Sequence, residues 1–288
     1  MEIIKTVKQM QQAAHAIRTG GESIALVPTM GFLHEGHLTL MRVGKEHCDR
    51  LIVSIFVNPT QFGPNEDLEA YPRDTEGDLR KAENVGVDLV FMPSAREMYP
   101  QGAQTSVVVK DLPRHLCGLS RPGHFDGVTT VVAKLFHMVN PHVAVFGQKD
   151  YQQLAVISRM VMDLDMDIQI IGVPTVRERD GLAMSSRNSY LSAEERQSAL
   201  SLKKSLNLAE RLFNEGERRA QAVKDFVQSY ILEHPHTEID YIALCDPVTL
   251  EDVNTLTEGT LVALAVRVGK TRLIDNARLR KQKKSKKQ

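Results

Sequence analysis

Two histidines three residues apart, His34 and His37, are the first residues of this sequence whose types and spacing could do chemistry. They follow a short apolar run, residues 24–27, that is typical of a buried strand; since Pro28 lacks a backbone donor, we expect the strand to stop at Thr29. The residues after the histidines have the apolar spacing of a helix. A strand, a tight turn and a helix direct backbone N–H groups and a helix dipole at one point, which favours phosphate binding.

The turn also contains two glycines, Gly31 and Gly36, which allow backbone shapes that a Cβ would obstruct. Such a unit occurs in many α/β proteins, and a single histidine at a helix start is more often a cap than a catalyst. Two imidazoles there can bind or protonate phosphate oxygens as charge builds on them. The pair therefore predicts a site for phosphate chemistry.

Polar residues also follow two other predicted strands. Gln61 comes just after the β-branched run 51–57, where an amide can bind a hydroxyl or carboxylate, although a turn-capping role explains it equally well. After the strand predicted at 143–146, Gly147 would let a nucleotide approach the backbone. Lys149 supplies a positive charge for a phosphate.

The same turn continues into a helix predicted over residues 151–162. Asp150 can accept a hydrogen bond from a ribose hydroxyl or cap this helix, and Gln153 lies one turn into it, facing the same end of the sheet. Residues 121–128 place turn formers, an arginine and a histidine before a helix predicted over 129–139. They indicate either a second anion site or an ordinary capped turn.

Strands and helices alternate through the first 175 residues, which predicts an α/β fold with a Rossmann-like, doubly wound parallel sheet. We predict a nucleotide- and substrate-binding domain over 1–175, a smaller α+β domain over 176–276, and a basic, disordered tail over 277–288. The remaining predicted elements are strands at 3–4, 88–92, 105–109, 168–173, 239–244, 260–268 and 271–275, and helices ending near Gly20 and spanning 35–48, 74–85, 192–215 and 220–232.

Composition sets limits on the class of protein. The chain has 288 residues, 42% hydrophobic and 25% charged, which is ordinary for a globular protein. It contains no apolar run near the roughly 20 residues that cross a bilayer and no signal-peptide core, so we expect a cytoplasmic protein without a membrane partner. Three widely spaced cysteines predict free thiols.

Charge is balanced overall, with 36 basic and 36 acidic residues, but seven of the basic ones lie in 277–288 without an acid. Such a tail is either a solubilising end or a contact for RNA. It contains no aromatic residue on which a base could stack, so we predict no nucleic-acid partner.

The segment His34-Glu35-Gly36-His37 resembles the His-x-Gly-His motif of a nucleotidylyltransferase superfamily, and residues 28–37 resemble, more narrowly, the pantoate beta-alanine ligase family. The resemblance covers about residues 1–280, without departure at its specific motifs. Those motifs are residues 28–37, 56–63, 71–73, 121–128, 147–153 and 184–188.

The resemblance implies an ATP-dependent ligase with two half-reactions. Pantoate first attacks the α-phosphate of ATP to give pantoyl adenylate and pyrophosphate, and beta-alanine then displaces AMP to give pantothenate. It also implies Mg²⁺ brought with ATP and a homodimer. Because a metal held chiefly by the triphosphate and water is common, we name no protein ligand for Mg²⁺. An unstable acyl phosphate needs shelter from water, so residues 71–73 and the smaller domain are expected to cover it.

The resemblance also implies roles for individual residues. His37, as proton donor, and His34, Lys149 and Arg187 would be catalytic, Gln61 and Gln153 would bind pantoate, and Gln61 would also contact beta-alanine. The ATP-binding residues implied are Met30, Gly31, Phe32, Leu33, His34, Glu35, Gly36, His37, Gly147, Gln148, Lys149, Asp150, Val176, Met184, Ser185, Ser186 and Arg187.

Two other interpretations stay open from the sequence. A nucleotidyltransferase that adds AMP to a phosphate ester would share the histidine turn but would not need Gln61 and Gln153 as a paired clamp. An RNA-binding, synthetase-like protein would use the basic tail but lacks aromatic platforms.

Overall fold

The computed structural model describes residues 1–64 and 66–281. The described chain forms two compact units. The first unit comprises Met1–Arg114 and Arg121–Val176, and the second begins at Arg177 and also includes His115–Ser120. Residues 282–288, most of the predicted basic tail, lie outside the described residues.

A six-stranded sheet organises the first unit, and all of its strand pairs are parallel. The spatial order is β1-β4-β3-β2-β5-β6. The strands are β1 (Glu2–Ile4), β2 (Ile24–Thr29), β3 (Arg50–Ile55), β4 (Leu89–Phe91), β5 (Val143–Gly147) and β6 (Gln169–Val173). The helices of this unit are α1 (Val7–Thr19), α2 (Glu35–His47), α3 (Thr75–Val85), α4 (Ala95–Met98), α6 (His124–Val139) and α7 (Tyr151–Asp163), while the short α5 (Cys117–Ser120) belongs to the second unit.

The strand order explains where a site can form. From β2 the chain adds β3 and then β4 on one side, whereas β5 and β6 add on the other. The order therefore reverses between β2 and β5, and the loops after these two strands diverge there. The doubly wound sheet predicted from the sequence is confirmed. The histidine turn follows β2 and so lies at this reversal, where open parallel sheets commonly bind ligands.

The second unit is a smaller α+β arrangement, as predicted. Three antiparallel strands, β7 (Thr237–Cys245), β8 (Leu261–Val268) and β9 (Thr271–Arg278), pack with α8 (Ala193–Asn214) and α9 (Ala220–Leu232). The predicted capping box begins α8: the Ser192 hydroxyl accepts from the Glu195 N–H at 3.2 Å, and the Glu195 carboxylate accepts from the Ser192 N–H at 2.9 Å.

Four sequence expectations need correction. Ala277 and Arg278, assigned to the disordered tail, form the end of β9. Pro28 lies inside β2, in register with Ser54, although the strand does end at Thr29 as predicted. Residues 105–109 form no strand, because the backbone N–H of Val107 donates to the Thr130 hydroxyl instead of to a neighbouring strand. Helix α6 begins at His124 rather than at residue 129, so the residues predicted as a turn form its first turns.

None of the helices in the described part of the chain is both long enough and apolar enough to span a membrane.

Candidate active site

The turn after β2 is held by a buried carboxylate that the sequence interpretation did not identify. Asp78, on α3, accepts from the backbone N–H groups of Phe32 at 2.7 Å and Leu33 at 2.6 Å. Gly31 has a φ of +82°, and a Cβ on it would come within 3.0 Å of the Asp78 carboxylate. The glycine is therefore required by both the backbone conformation and the close approach of Asp78.

The donors of this turn differ from the expectation of free N–H groups aimed at a phosphate. Asp78 binds two of the backbone N–H groups. The backbone N–H of Gly31 donates to the Thr29 hydroxyl at 3.2 Å, and the backbone N–H of His34 donates to Nδ1 of His37 at 3.3 Å. A ligand at this point would therefore meet the imidazoles and the positive end of the α2 dipole, rather than the N–H groups of the turn itself.

The two histidine rings are stacked, with centroids 4.0 Å apart and planes 29° from parallel. Because Nδ1 of His37 accepts a hydrogen bond, a neutral His37 carries its proton on Nε2. Burial, followed by the charges of His34, Lys149 and Lys81, lowers the pKa of His37 well below its ordinary value. His37 is therefore a neutral imidazole with one N–H to donate.

The turn after β5 lies beside the turn after β2, since β2 and β5 pair in parallel. The positive charge of Lys149 contributes to the lowered pKa of His37, which agrees with this placement. A Cβ on Gly147 would meet no atom within 4 Å, so the backbone can be approached closely there. The Gln148 side chain donates to the Gly172 carbonyl at 3.1 Å and thereby fixes the turn to β6.

Asp150 precedes α7 without capping it through its side chain, and its carboxylate lies 3.7 Å from the ammonium of Lys149. Further along α7, two adjacent glutamines have different surroundings. Gln152 is buried and donates to the Leu112 carbonyl at 2.9 Å. Within the described residues the Gln153 side chain forms no hydrogen bond, so its carboxamide is available to a ligand.

Gln61 ends a one-turn helix, Pro59–Gln61, and is nearly buried. Its side-chain oxygen accepts from Asn58 at 3.1 Å, and its side-chain nitrogen lies 3.3 Å from the sulfur of Met30. Because Met30 directly follows β2, these contacts bring the Gln61 carboxamide to the histidine turn. The structure therefore unites Gln61 with Met30, which the sequence could predict only as separate candidates.

Asn58 is a second residue that the sequence analysis does not identify as part of the site. It is 1% exposed, and its amide also donates to the Gly127 carbonyl at 3.2 Å while its oxygen accepts from Tyr99 at 2.8 Å. Nothing in the local sequence separates such a residue from a turn former, because its partners are 41 and 69 positions away.

The remaining predicted ATP-binding residues lie at or beyond the end of the first unit. Val176 is the last residue of the first unit, and residues 184–187 belong to the second. The Ser185 hydroxyl accepts from the Arg187 N–H at 3.3 Å, and Asn188 donates to Glu178 at 2.6 Å. These hydrogen bonds thus hold the loop to other residues of the second unit.

The residues from 1 to 64 and from 66 to 281 contain no cluster of three or more histidine, cysteine or acidic side chains that could hold a metal ion. A metal that enters with a nucleotide needs no such cluster, because phosphate oxygens and water can supply most of its ligands.

Comparisons with known proteins agree on one family. A family model described as pantoate-beta-alanine ligase matches residues 2–278. The pantothenate synthetase of Syntrophus aciditrophicus is 56% identical over 276 residues, which are 96% of this chain and 96% of that protein. The pantothenate synthetase of Desulforapulum autotrophicum is 58% identical over 276 residues, which are 96% of this chain and 98% of that protein.

Solved structures give the same result. The pantothenate synthetase of Thermus thermophilus is 42% identical with a TM-score of 0.92, covering 97% of this chain and 100% of that one. A pantoate-beta-alanine ligase from Francisella tularensis, complexed with beta-gamma ATP and beta-alanine, is 34% identical with a TM-score of 0.80. The match covers 96% of this chain and 97% of that one.

Proposed function

The chain belongs to the pantoate-beta-alanine ligase family, and from this premise we propose how its own residues carry out the reaction. The enzyme condenses (R)-pantoate with beta-alanine to pantothenate, using ATP. The intermediate is pantoyl adenylate, and pyrophosphate and AMP are released. One observation carries the residue assignments: the carboxamide of Gln61 lies against Met30, next to the turn that bears the two histidines.

In the first half-reaction, a carboxylate oxygen of pantoate attacks the α-phosphorus of ATP in line with the departing pyrophosphate oxygen. A new O–P bond forms and the bond to pyrophosphate breaks, so negative charge shifts onto the pyrophosphate. The protein needs mainly to position the reactants and neutralise this charge. The side chains assigned to neutralisation are His34, His37, Lys149 and Arg187.

His37 can act here as a neutral hydrogen-bond donor. Its Nε2–H would donate to a phosphate oxygen while Nδ1 stays bound to the His34 N–H. The negative charge of bound triphosphate would raise the depressed pKa of His37, because an opposite charge favours the protonated form. Because protonation at Nδ1 would break its bond to the His34 N–H, His37 would act as a full proton donor only after that bond opens.

In the second half-reaction, the amine of beta-alanine attacks the acyl carbon of pantoyl adenylate and AMP departs. Gln61 and Gln153 would hold the hydroxyls and carboxylate of pantoate, and Gln61 would also contact beta-alanine. The amide of Gln61 is oriented by Asn58, whereas Gln153 offers a carboxamide without an internal partner among the described residues.

ATP would lie along the turns after β2 and β5. The open space above Gly147 supports close approach of the nucleotide to the backbone, and Asp150 is available for the ribose hydroxyls. Met30 to His37, Gln148, Val176 and Met184 to Arg187 remain predicted contacts of ATP. Mg²⁺ would accompany the triphosphate and supply charge neutralisation there.

Assembly and location remain inferences from the family. We propose a homodimer in the cytoplasm, without a nucleic-acid or membrane partner. Addition of AMP to a phosphate ester and RNA binding are not favoured, because the family model and the similar proteins described above are pantoate-beta-alanine ligases or pantothenate synthetases.

The test is a pyrophosphate-release assay with ATP and Mg²⁺. We expect sustained release only when both pantoate and beta-alanine are present, with AMP and pantothenate as products. Release with 4'-phosphopantetheine and none with pantoate would overturn the proposal.

A further inference from the structure

Gln61 is held through its backbone as well as through its side chain. We propose that His124 and Arg121 are positioning residues for pantoate: they bind the main-chain carbonyl of Gln61 and thereby set the direction of its carboxamide. This inference rests on the proposed function, because it assumes that Gln61 contacts the hydroxy acid.

The histidine contributes a hydrogen bond whose direction is determined by its partners. Nδ1 of His124 lies 2.7 Å from the Gln61 carbonyl oxygen, which can only accept. Nδ1 therefore carries the ring proton, and Nε2 keeps a lone pair. Nε2 lies 3.0 Å from an Nη1 of Arg121, which can only donate, so a single neutral tautomer satisfies both contacts.

The guanidinium of Arg121 makes a second contact to the same carbonyl, from Nη2 at 3.3 Å. Its plane is set by Glu66, which accepts from Nε at 2.7 Å and from Nη2 at 2.5 Å. Both side chains of this ion pair are largely shielded, with exposed fractions of 19% and 24%. Since a bidentate arginine–carboxylate pair adds geometric specificity, Glu66 orients Arg121, which in turn orients His124.

Packing restrains the peptide between Thr60 and Gln61, whereas the Gln61 carbonyl belongs to the following peptide and depends on its hydrogen bonds. A Cβ on Gly127, one turn into α6, would lie 2.4 Å from the Thr60 carbonyl oxygen and 2.7 Å from the Gln61 nitrogen. The two backbones are therefore in direct contact, and Asn58 adds a hydrogen bond from its amide to the Gly127 carbonyl. The first turns of α6 thus form a fixed support beneath the one-turn helix that presents Gln61.

The side chain and the carbonyl of Gln61 are fixed by different groups. Asn58 binds the side-chain oxygen, which leaves the side-chain nitrogen directed at Met30. If the carbonyl lost its donors, the peptide plane could turn and carry the carboxamide away from this direction. Recognition of the hydroxy acid should then suffer, while the turn after β5, which is assigned to the nucleotide, keeps its own contacts.

Substitution of His124 tests the inference, because asparagine and leucine separate hydrogen bonding from size. In His124→Asn the amide nitrogen can replace Nδ1 as donor to the Gln61 carbonyl, whereas His124→Leu retains bulk without a donor. We expect His124→Leu to raise KM for pantoate by about tenfold, because that factor corresponds to the loss of about one hydrogen bond. The KM for ATP should change less than twofold. His124→Asn should restore most of the loss.

A purely structural role predicts a different result. Equal changes in both KM values, or a lowered melting temperature with unchanged KM values, would overturn the inference. If His124→Leu fails to fold, Arg121→Gln allows the same comparison of the two KM values, because it removes the guanidinium while keeping His124. Absence of pantoate-dependent pyrophosphate release in the wild-type enzyme would instead refute the proposed function, so the two failures are distinguishable.

Discussion

The backbone N–H of His34 lies 3.3 Å from Nδ1 of His37, and this contact determines which nitrogen of His37 carries its proton. Nε2 is left as the donor, on a ring that burial and neighbouring positive charges keep neutral. A hydrogen bond within the turn thus leaves the imidazole one N–H donor, the group that the proposed function assigns to a phosphate oxygen.

Replacement of His37 should affect the chemical step. We expect His37→Ala to lower kcat by about 10²- to 10³-fold, the usual cost of removing one donor that stabilises developing charge. His37→Gln, which can place its amide nitrogen near the position of Nε2, should retain more activity. Steady-state pyrophosphate release measures both variants, and a kcat within tenfold of wild type for His37→Ala would contradict the assignment.

The two neighbouring glutamines of α7 should respond oppositely to the same change. Gln153→Ala should raise KM for pantoate about tenfold or more without altering the melting temperature, because no internal hydrogen bond within the described residues is lost. Gln152→Ala should lower the free energy of unfolding by about 1–3 kcal/mol, since it leaves the Leu112 carbonyl without this donor. Urea unfolding and substrate titration of both variants check the contrast; a destabilised Gln153→Ala variant would refute it.

Asp78→Asn should weaken the histidine turn. An amide can accept only one of the two backbone hydrogen bonds that the carboxylate accepts, so we expect a loss of about 1–3 kcal/mol in unfolding free energy and lower activity. Asp74→Asn is the matched control, because Asp74 caps the same helix and asparagine caps nearly as well. Equal effects of the two substitutions in urea unfolding would argue against a special role for Asp78.

Gly147→Ala should separate nucleotide binding from folding. The added methyl group meets no protein atom within 4 Å, and the backbone there is extended, so stability should be unchanged or slightly higher. If ATP lies against this backbone, KM for ATP should rise by about tenfold. This change corresponds to a loss of about 1.4 kcal/mol in the binding free energy of ATP. An unaltered KM for ATP would remove Gly147 from the proposed site.

Acid should destabilise the folded protein through His124. Burial, and then the charge of Arg121, lowers the pKa of His124 to about 4 in the folded state, against about 6.5 when unfolded. The unfolded chain therefore binds more protons below pH 6.5, and unfolding becomes easier as the pH falls. For His124 alone the loss between pH 7 and pH 5 is about 2 kcal/mol.

Urea unfolding of the wild type and of His124→Asn at pH 7 and pH 5 measures this loss. The pKa of Glu66 is also lowered. Burial, the largest single effect, raises it, but the hydrogen bond and the charge of Arg121, with the charge of His124 and a hydrogen bond from the Gly63 backbone, together outweigh burial. Glu66 therefore remains ionised in this pH range and adds little to the difference. The stability of the variant should fall less between pH 7 and pH 5, and equal losses in both proteins would contradict the depressed pKa of His124.

Local sequence patterns were sufficient for the elements and for the class of fold. The apolar run of β2, the β-branched residues of β3 and the capping box at Ser192 depend on neighbouring residues only, and each predicted an element that is present. The alternation of strands and helices predicted the parallel sheet, since parallel strands need crossover connections. The histidine motif likewise indicated the family through residues close together in the chain.

The surroundings of those residues were decided by tertiary structure. Asp78 stabilises the histidine turn from α3, and Asn58 and His124 bind the side chain and the carbonyl of Gln61, yet no local pattern distinguishes them from ordinary caps and turn residues. Residues 105–109 have strand-forming side chains but no neighbouring strand, so Thr129 and Thr130 bind their backbone instead.

The sequence by itself thus determined which groups are proposed for the reaction: two imidazoles, a lysine, an arginine and two amides. The tertiary structure decided the protonation, direction and partners of those groups. The physical reason is that a pKa, a tautomer or a fixed peptide depends on burial and on charges within a few ångströms, and these neighbours come from residues far apart in the chain.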